Sequence, residues 1–397
     1  MTRRPPGMWA AVWLSLGPAV SNGFARFAYA LILPAMRADL DWSYTQAGSM
    51  NSVNALGYLA GSLVAFYTIA AVGARRLFIG GMYATAAALA LSALVTGFDA
   101  LALLRFAAGV SGAIVFIAGG ALAAALFPDE PRRAAAAIGI YFAGGGIGIV
   151  LPGVTLPWLF AYAGSQAWPA AWLAMGAAGL VISIVCTLLV GPAAAASAPI
   201  ARAPLRVRVF APILSGYFLF GVGYIAYMTF IIAWMRDHGS GPGAVAATWG
   251  ALGLACVASH RVWRHPLAAW QGGRATAATI LTLTAGASLP LLSTALPVMI
   301  ASAILFGGAL FIVPASVTAY AKKWLPVELW GKAVAGFTIA FSTGQILGPV
   351  LTGALSDATG SLFAGLMLSA AVLLIGAIAT LWQTDPAPRT ASAAERG

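Results

Sequence analysis

Charge is what this sequence lacks most. Asp, Glu, Lys and Arg together make up 8% of its 397 residues, and only 10 residues are acidic. Soluble domains carry about 25% charged residues. With 61% apolar residues the chain cannot wet most of its surface, which excludes an ordinary soluble domain and makes an integral membrane protein the expected class. Cysteine is scarce too. Cys186 and Cys256 stand far apart in separate apolar runs, so neither a disulfide framework nor a metal site is expected, and both read as packing residues. The sequence offers no nucleophile–base pair, no metal-ligand cluster and no phosphate loop. GGGIG at Gly144 to Gly148 has apolar flanks, with neither a strand before it nor a lysine after it. Enzymatic chemistry, a cofactor and ATP drive are therefore not expected. The formal charge of +11 does not point to nucleic acid, because the basic residues fall in pairs and triplets between apolar runs rather than on one face.

What the sequence has is long apolar runs. A window of about 20 residues picks out twelve of them. They cover residues 8–36, 45–70, 77–97, 101–126, 134–161 and 168–190, then 209–235, 244–259, 275–292, 297–321, 334–356 and 362–382. The first run is too long for a signal peptide and reads as the first span. Between the sixth and seventh lies GPAAAASAPIARAPLRVR, a Pro/Ala-rich basic stretch that reads as a linker. The expected organisation is an N-terminal six-helix bundle (1–190), a cytoplasmic linker (191–208), a C-terminal six-helix bundle (209–383) and a cytoplasmic tail (384–397). If the N-terminus is cytoplasmic, 17 of the 21 basic residues fall on the inner side, with only Arg37 and Arg236 outside and Arg26 and Arg105 in the membrane. That bias satisfies the positive-inside rule and predicts a multi-pass inner-membrane protein with both termini in the cytoplasm. Trp9, Trp13, Trp42, Trp168, Trp324 and Trp382 fall near span ends, where an interfacial aromatic belt is expected.

The two halves echo each other. GGAL occurs at Gly119 to Leu122 in span four and again at Gly307 to Leu310 in span ten. Gly144 and Gly148 in span five match Gly344 and Gly348 in span eleven, each pair a G-x-x-x-G that lets helices pack closely. Spans six apart therefore correspond. A parallel duplication of this kind forms its site between the halves near the midplane.

With RFAAGVSGA at Arg105 to Ala113, which places Gly109 four residues after Arg105, and GGGIGIVLPG, which ends at Pro152 and Gly153, the chain resembles the major facilitator superfamily. It is most similar to the YbfB/YjiJ-type branch, through NGFARFAYALILP, NALGYLAGS, YFLFGVGYIAYMTF and AGFTIAFSTGQILGPVLTG, the last containing Gly348 and Pro349. The resemblance covers nearly the whole chain. It implies an all-α membrane fold of twelve transmembrane helices in two six-helix halves related by a pseudo-two-fold along the membrane normal, with alternating access by rocking of the halves. It also implies gating roles for Arg75 and Arg76 in the loop after span two. There AFYTIAAVGARRL keeps Gly73, Arg75 and Arg76 but has Ala70 where the family's aspartate would fall. Proton-coupled members often use an embedded acid, and cation-extruding pumps bind their substrate with one. Here no carboxylate lies inside an expected span.

Arg26 and Arg105 are thus left without an in-span counterion. Arg26 is ten residues from the end of its span, about 15 Å along a helix, too deep for easy snorkelling. Each arginine has two readings. One is a backbone clamp, on a kink at Asn22/Gly23 of its own span for Arg26 and on carbonyls opened by glycines of span five for Arg105; the other is a ligand for an anionic substrate, whose carboxylate matches the guanidinium fork in shape and charge. Asn51, Asn54 and Tyr58 share a face of span two; Thr338, Ser342 and Gln345 share one of span eleven, as do Tyr217 and Tyr224 of span seven. Inter-helix bonding explains any one of them, and together they outline a polar cavity wall. Arg26, Asn54, Tyr58, Arg105, Tyr224 and Gln345 are the expected substrate-binding set. His260 is expected to begin an inner loop, with a coupling role as the lesser alternative, and His238 and His265 read as loop residues.

The expected function is a monomeric secondary transporter in the lipid bilayer that moves a small organic solute, preferably an organic anion, with a coupling ion as an open partner. Efflux of neutral or lipophilic compounds is the alternative. A non-transporting sensor on the same fold is a weaker one, since residues 384–397 offer no signalling domain.

Overall fold

The computed structural model describes residues 7–191, 207–326 and 329–385. Nearly all of the expected linker and tail lies outside the described residues, as do Arg3, Arg4, Arg202, Arg206, Glu328, Arg389, Glu395 and Arg396.

Among the described residues the chain is helical, without a strand. Span one comes in three pieces: Trp9–Pro18, a π-helical segment Ala19–Phe27, and Tyr29–Asp39. Spans two to six are Tyr44–Val72, Ala74–Ser92, Phe98–Ala124, Pro131–Ala163 and Trp168–Leu189. Spans seven to nine are Ala211–Asp237, Pro242–Ala269 and Arg274–Leu292. Span ten is Leu296–Leu310 continued by Ile312–Trp324, span eleven is Trp330–Thr359 and span twelve is Leu362–Leu381. Ten of the helices are long and apolar enough to cross a membrane. The other two have visible reasons not to qualify: span one is divided, and span three carries Arg75 and Arg76 in its first turn.

Local chemistry sets the ends. Ser43 and Gln46 form a capping box that starts span two, and Gly73, at φ 89°, ends it. Prolines sit in the first turn of spans five to eight and ten, where a missing N–H costs nothing.

Glycine lets the spans meet backbone to backbone. A Cβ added at Gly144 would lie 1.8 Å from the Ser15 carbonyl oxygen, and one at Gly148 would lie 2.4 Å from that of Ala19, so span five lies directly on span one. In the second half, a Cβ at Gly344 or Gly348 would lie 2.2 Å from the carbonyl oxygen of Phe218 or Val222, so span eleven lies on span seven in the same way. The pairing repeats once more, with Gly109 against Asn54 between spans four and two and Gly307 against Leu252 between spans ten and eight. Equivalent spans make equivalent contacts, as a duplication requires. The halves meet along span two on span eleven, span five on span eight, and the third piece of span one, Tyr29–Asp39, on span seven. Gly48 faces the Pro349 carbonyl at the first seam, and Gly146 faces Gly253 at the second. Of the ten helices long and apolar enough to cross a membrane, span seven is the most enclosed, with 89% of its most apolar window buried.

Three sequence expectations are corrected. Span eight does not stop at Ser259 but runs to Ala269, so His260 and His265 are helical rather than loop residues; no glycine lies between His260 and Ala269, and Pro266 cuts the helix short only three residues later. Span one is interrupted where the sequence offers a kink, with Asn22 and Gly23 inside the π-helical segment. Trp168 is fully buried, its Nε1 donating to Asp39, and Trp42 packs edge-on against Phe98, so neither belongs to a lipid-facing belt. Trp9 and Trp382 are exposed as such a belt requires.

Candidate functional site

The π segment places the first arginine. Gly23 approaches Gly148 so closely that a Cβ there would meet its backbone at 2.3 Å, and the Ala28 N–H bonds back to Gly23 O, five residues earlier. π turns re-aim the side chains that follow and recur at functional sites. Here the residue re-aimed is Arg26, in the last turn of the segment.

Arg26 is 5% exposed and points at the seam between the halves. Its Nη2 donates to Gln345 Oε1 on span eleven, and Gln345 Nε2 donates to the Tyr224 hydroxyl on span seven at 2.6 Å. The guanidinium carbon lies 5.1 Å from the Tyr58 ring centre and 5.9 Å from that of Phe27. Beyond this cluster Tyr217, Phe220, Tyr224 and Phe341 stack, the Tyr217–Phe341 centroids 4.9 Å apart. Among the described residues Arg26 makes no hydrogen bond except that to Gln345, and the only salt bridge between described residues is Arg133 to Glu130 at the surface. A buried cation held only by neutral groups is the chemical signature of this site.

Arg105 sits in a different bonded set. It is 3% exposed; Nη1 donates to the Ala25 carbonyl and Nη2 to Asn51 Oδ1 at 3.0 Å. Asn54 Nδ2 donates to the Arg105 carbonyl at 2.9 Å, and the rings of Tyr29 and Trp172 lie 4.8 and 5.5 Å from its guanidinium carbon. Asn51 then donates from Nδ2 to Thr229 on span seven at 2.7 Å, which ties this set across the seam.

Of the expected set, Arg26, Tyr58, Tyr224 and Gln345 therefore come together, while Arg105 and Asn54 bind each other's surroundings within the N-terminal half. Gly109, Gly144, Gly148 and Gly348 are close backbone contacts, as is the carbonyl of Pro349, and Pro152 is buried inside span five. Arg75 donates from Nε to Val190 O at 2.7 Å and from Nη2 to Thr187 O at 2.9 Å, holding the end of span six, while Arg76 is exposed. On the face of span eleven, Ser342 is fully buried with an unpartnered hydroxyl. The sequence reading missed Thr229 and the stacked Phe220 and Phe341, which carry no signal in a span already rich in aromatics.

One more contact between the halves was not foreseen. At the face opposite Gly7 and Gln383, Asp357 of span eleven caps the start of span two: its carboxylate accepts from Tyr44 N and Thr45 N, each at 2.8 Å, and from Thr45 Oγ1 at 2.6 Å. The Tyr44 hydroxyl donates to Asp237 of span seven at 2.8 Å. A carboxylate at a helix N-terminus is favoured by the unsatisfied N–H groups and the helix dipole. The halves are thus fastened together at this far face.

Twelve spans in two matching halves, joined by a polar seam and fastened at one face, define a transporter of the major facilitator type. The sequence profile of the family described as "Uncharacterised MFS-type transporter YbfB" matches residues 18–381, and the chain belongs to that family. Solved structures similar to it are a point mutant of the nucleoside transporter NupG (12% identity, 94% of this chain and 99% of that one, TM-score 0.74) and a bacterial homologue of the human lysosomal transporter Spinster, inward-facing and unoccupied (18%, 96% and 98%, TM-score 0.70). The human organic anion transporter MFSD10 is a third (14%, 94% and 100%, TM-score 0.66). At these identities the likeness is one of fold. No curated protein matches the sequence. The protein is a multi-pass membrane transporter.

Proposed function

We infer that the protein is a secondary active transporter that carries a small organic anion across the inner membrane by alternating access. The observation that carries this reading is Arg26: buried at the seam, charged, and held by the neutral Gln345 without a carboxylate. Removing a cation from water without a counterion is costly, and an anion arriving from water supplies that counterion. The guanidinium fork then binds a carboxylate through two parallel N–H···O bonds, with Gln345 and Tyr224 offering further polar contacts and the aromatic stack an apolar wall. Residues 1–190 and 209–383 move as two bundles joined by 191–208, with both termini cytoplasmic and the functional unit a monomer. A coupling ion is a further partner in this scheme. Efflux of a neutral lipophilic compound is the second reading, favoured by the four stacked rings beside Arg26.

Uptake and binding in proteoliposomes, with a panel of acids and their neutral analogues, test the reading. Arg26→Lys keeps the charge and loses the fork, so acid affinity falls by about 1 to 3 kcal/mol with near-normal expression. Arg26→Gln loses more. Neutral analogues of the same shape are unaffected by either change, and equal losses for acids and neutral analogues transfer support to the second reading.

A further inference from the structure

The sequence places only two basic residues at the far face, Arg37 and Arg236. They belong to different halves, yet both line one cavity of about 330 Å³ between the halves. Neither is consumed by protein contacts. The Arg37 side chain makes no hydrogen bond among the described residues; its Nε is buried without a partner, and its guanidinium lies 3.8 Å from the ring centre of Tyr44. Arg236 donates only a long bond of 3.4 Å to the Ser240 carbonyl. The one carboxylate in the lining is Asp237, and one of its oxygens is engaged by the Tyr44 hydroxyl. Nearby Asp39 is turned to Trp168. Apart from Ser165 the remaining wall is apolar, with Leu31, Pro34, Phe160, Ile232 and Val245.

Two guanidinium groups that line one cavity repel each other, and a buried donor without an acceptor costs free energy. An anion between them lowers both costs. We propose that this cavity is a second anion site, a vestibule that takes a small monocarboxylate with an apolar body, its carboxylate between Arg37 and Arg236 and its body on the Leu31–Phe160 wall. Two charges against one carboxylate leave room for a single negative group, which favours a monocarboxylate over a dianion. Arg37 lies eleven residues after Arg26, close to three helical turns and about 16 Å along the same span. The vestibule is therefore one step from the central site. Its existence stands on its own residues; its role as a waiting position for the transported anion rests on the function proposed above.

The test is photolabelling of the full-length protein with para-azidobenzoate, followed by peptide mapping. Label is expected in the 31–38 and 157–160 stretches, protected by excess benzoate and not by benzamide. Arg37→Gln and Arg236→Gln are each expected to lower it about tenfold, the loss of one charge-assisted contact. Arg37→Lys is expected to retain most of it. Arg26→Gln is expected to leave vestibule labelling intact while abolishing acid uptake; intact labelling with unaffected uptake would overturn the central-site reading and leave the vestibule standing. Equal protection by benzamide, or full labelling in correctly folded Arg236→Gln, overturns the vestibule. Arg236 is exposed and makes one weak contact, so this variant keeps the test valid if Arg37→Gln fails to fold.

Discussion

Arg26 and Arg105 lie in the same half, are equally buried and equally lack a carboxylate, but they use their donors differently. Arg105 spends its two Nη groups inside its own half, on the Ala25 carbonyl and Asn51, under the rings of Tyr29 and Trp172, with its Nε buried without a partner. Those groups ride on spans one, two and six, all in the N-terminal bundle, which stays together in the motion proposed above. Arg26 reaches across the seam to Gln345, itself bonded to Tyr224, and the rocking proposed above would carry both groups of the other half away from it. A buried charge whose bonds close within one half is structure. One whose partner the proposed motion takes away is a charge in need of a visitor, and that separates two residues that the sequence alone leaves in one class.

The sharpest way to break the comparison is to remove Arg105. Arg105→Ala leaves the Ala25 carbonyl and Asn51 Oδ1 buried without charged donors, so thermal unfolding in detergent is expected to lose about 3 kcal/mol or more. Arg26→Ala is expected to cost far less stability, since it removes an uncompensated charge together with one bond. Similar melting curves for the two variants would erase the distinction. A smaller effect is expected from supplying Arg26 with a carboxylate. Gln345→Glu gives it an internal counterion, which raises thermal stability and competes with the substrate, so acid affinity falls about tenfold while neutral analogues bind as before.

The far-face fastening compares the two seams instead of the two arginines. Asp357→Asn keeps the shape of the cap and loses its charge, weakening the bonds to Tyr44 and Thr45 by about 1 kcal/mol. A two-state equilibrium then shifts about fivefold toward separation at this face. Spin labels at Asp41 and Ser361 are expected to report a larger population of long distances, with the seam at Gly146 and Gly253 unchanged.

How much of this was legible in the chain follows from separation and period. Composition alone gave the membrane class, and the small-residue pairs at Gly144/Gly148 and Gly344/Gly348 marked the contacts that make the two halves equivalent. Arg26 stood out because charge inside an apolar run is rare. Gln345 stood out as well, by the polar face it shares with Thr338 and Ser342, but its bond to Arg26 did not. The two lie 319 residues apart, and nothing local says which residue across the seam a glutamine meets. The site of the π segment was legible as a kink at Asn22/Gly23, but its form was hidden, because it depends on the approach of Gly23 to Gly148 on another span. The length of span eight was misjudged for a simpler reason: hydropathy ends where His260 and Arg261 begin, but the helix does not.

The smallest expected effect separates ring from hydroxyl at Tyr58. Arg26 stands over the face of this ring, 5.1 Å from its centre, and no hydrogen bond joins the two residues. A cation is drawn to the ring's negative face, a contribution of about 0.5 to 2 kcal/mol according to how far water is excluded. Tyr58→Phe keeps that face and is expected to change acid affinity by less than about 0.5 kcal/mol. Tyr58→Ala removes it and is expected to weaken acid binding by about 1 kcal/mol, because the guanidinium loses the surface that orients its fork toward the seam. Titration of both variants with acid and neutral analogue decides the matter. A loss in Tyr58→Phe as large as that in Tyr58→Ala would mean that the hydroxyl meets the substrate, and Tyr58 would then join Gln345 and Tyr224 as a direct polar contact rather than a support for Arg26.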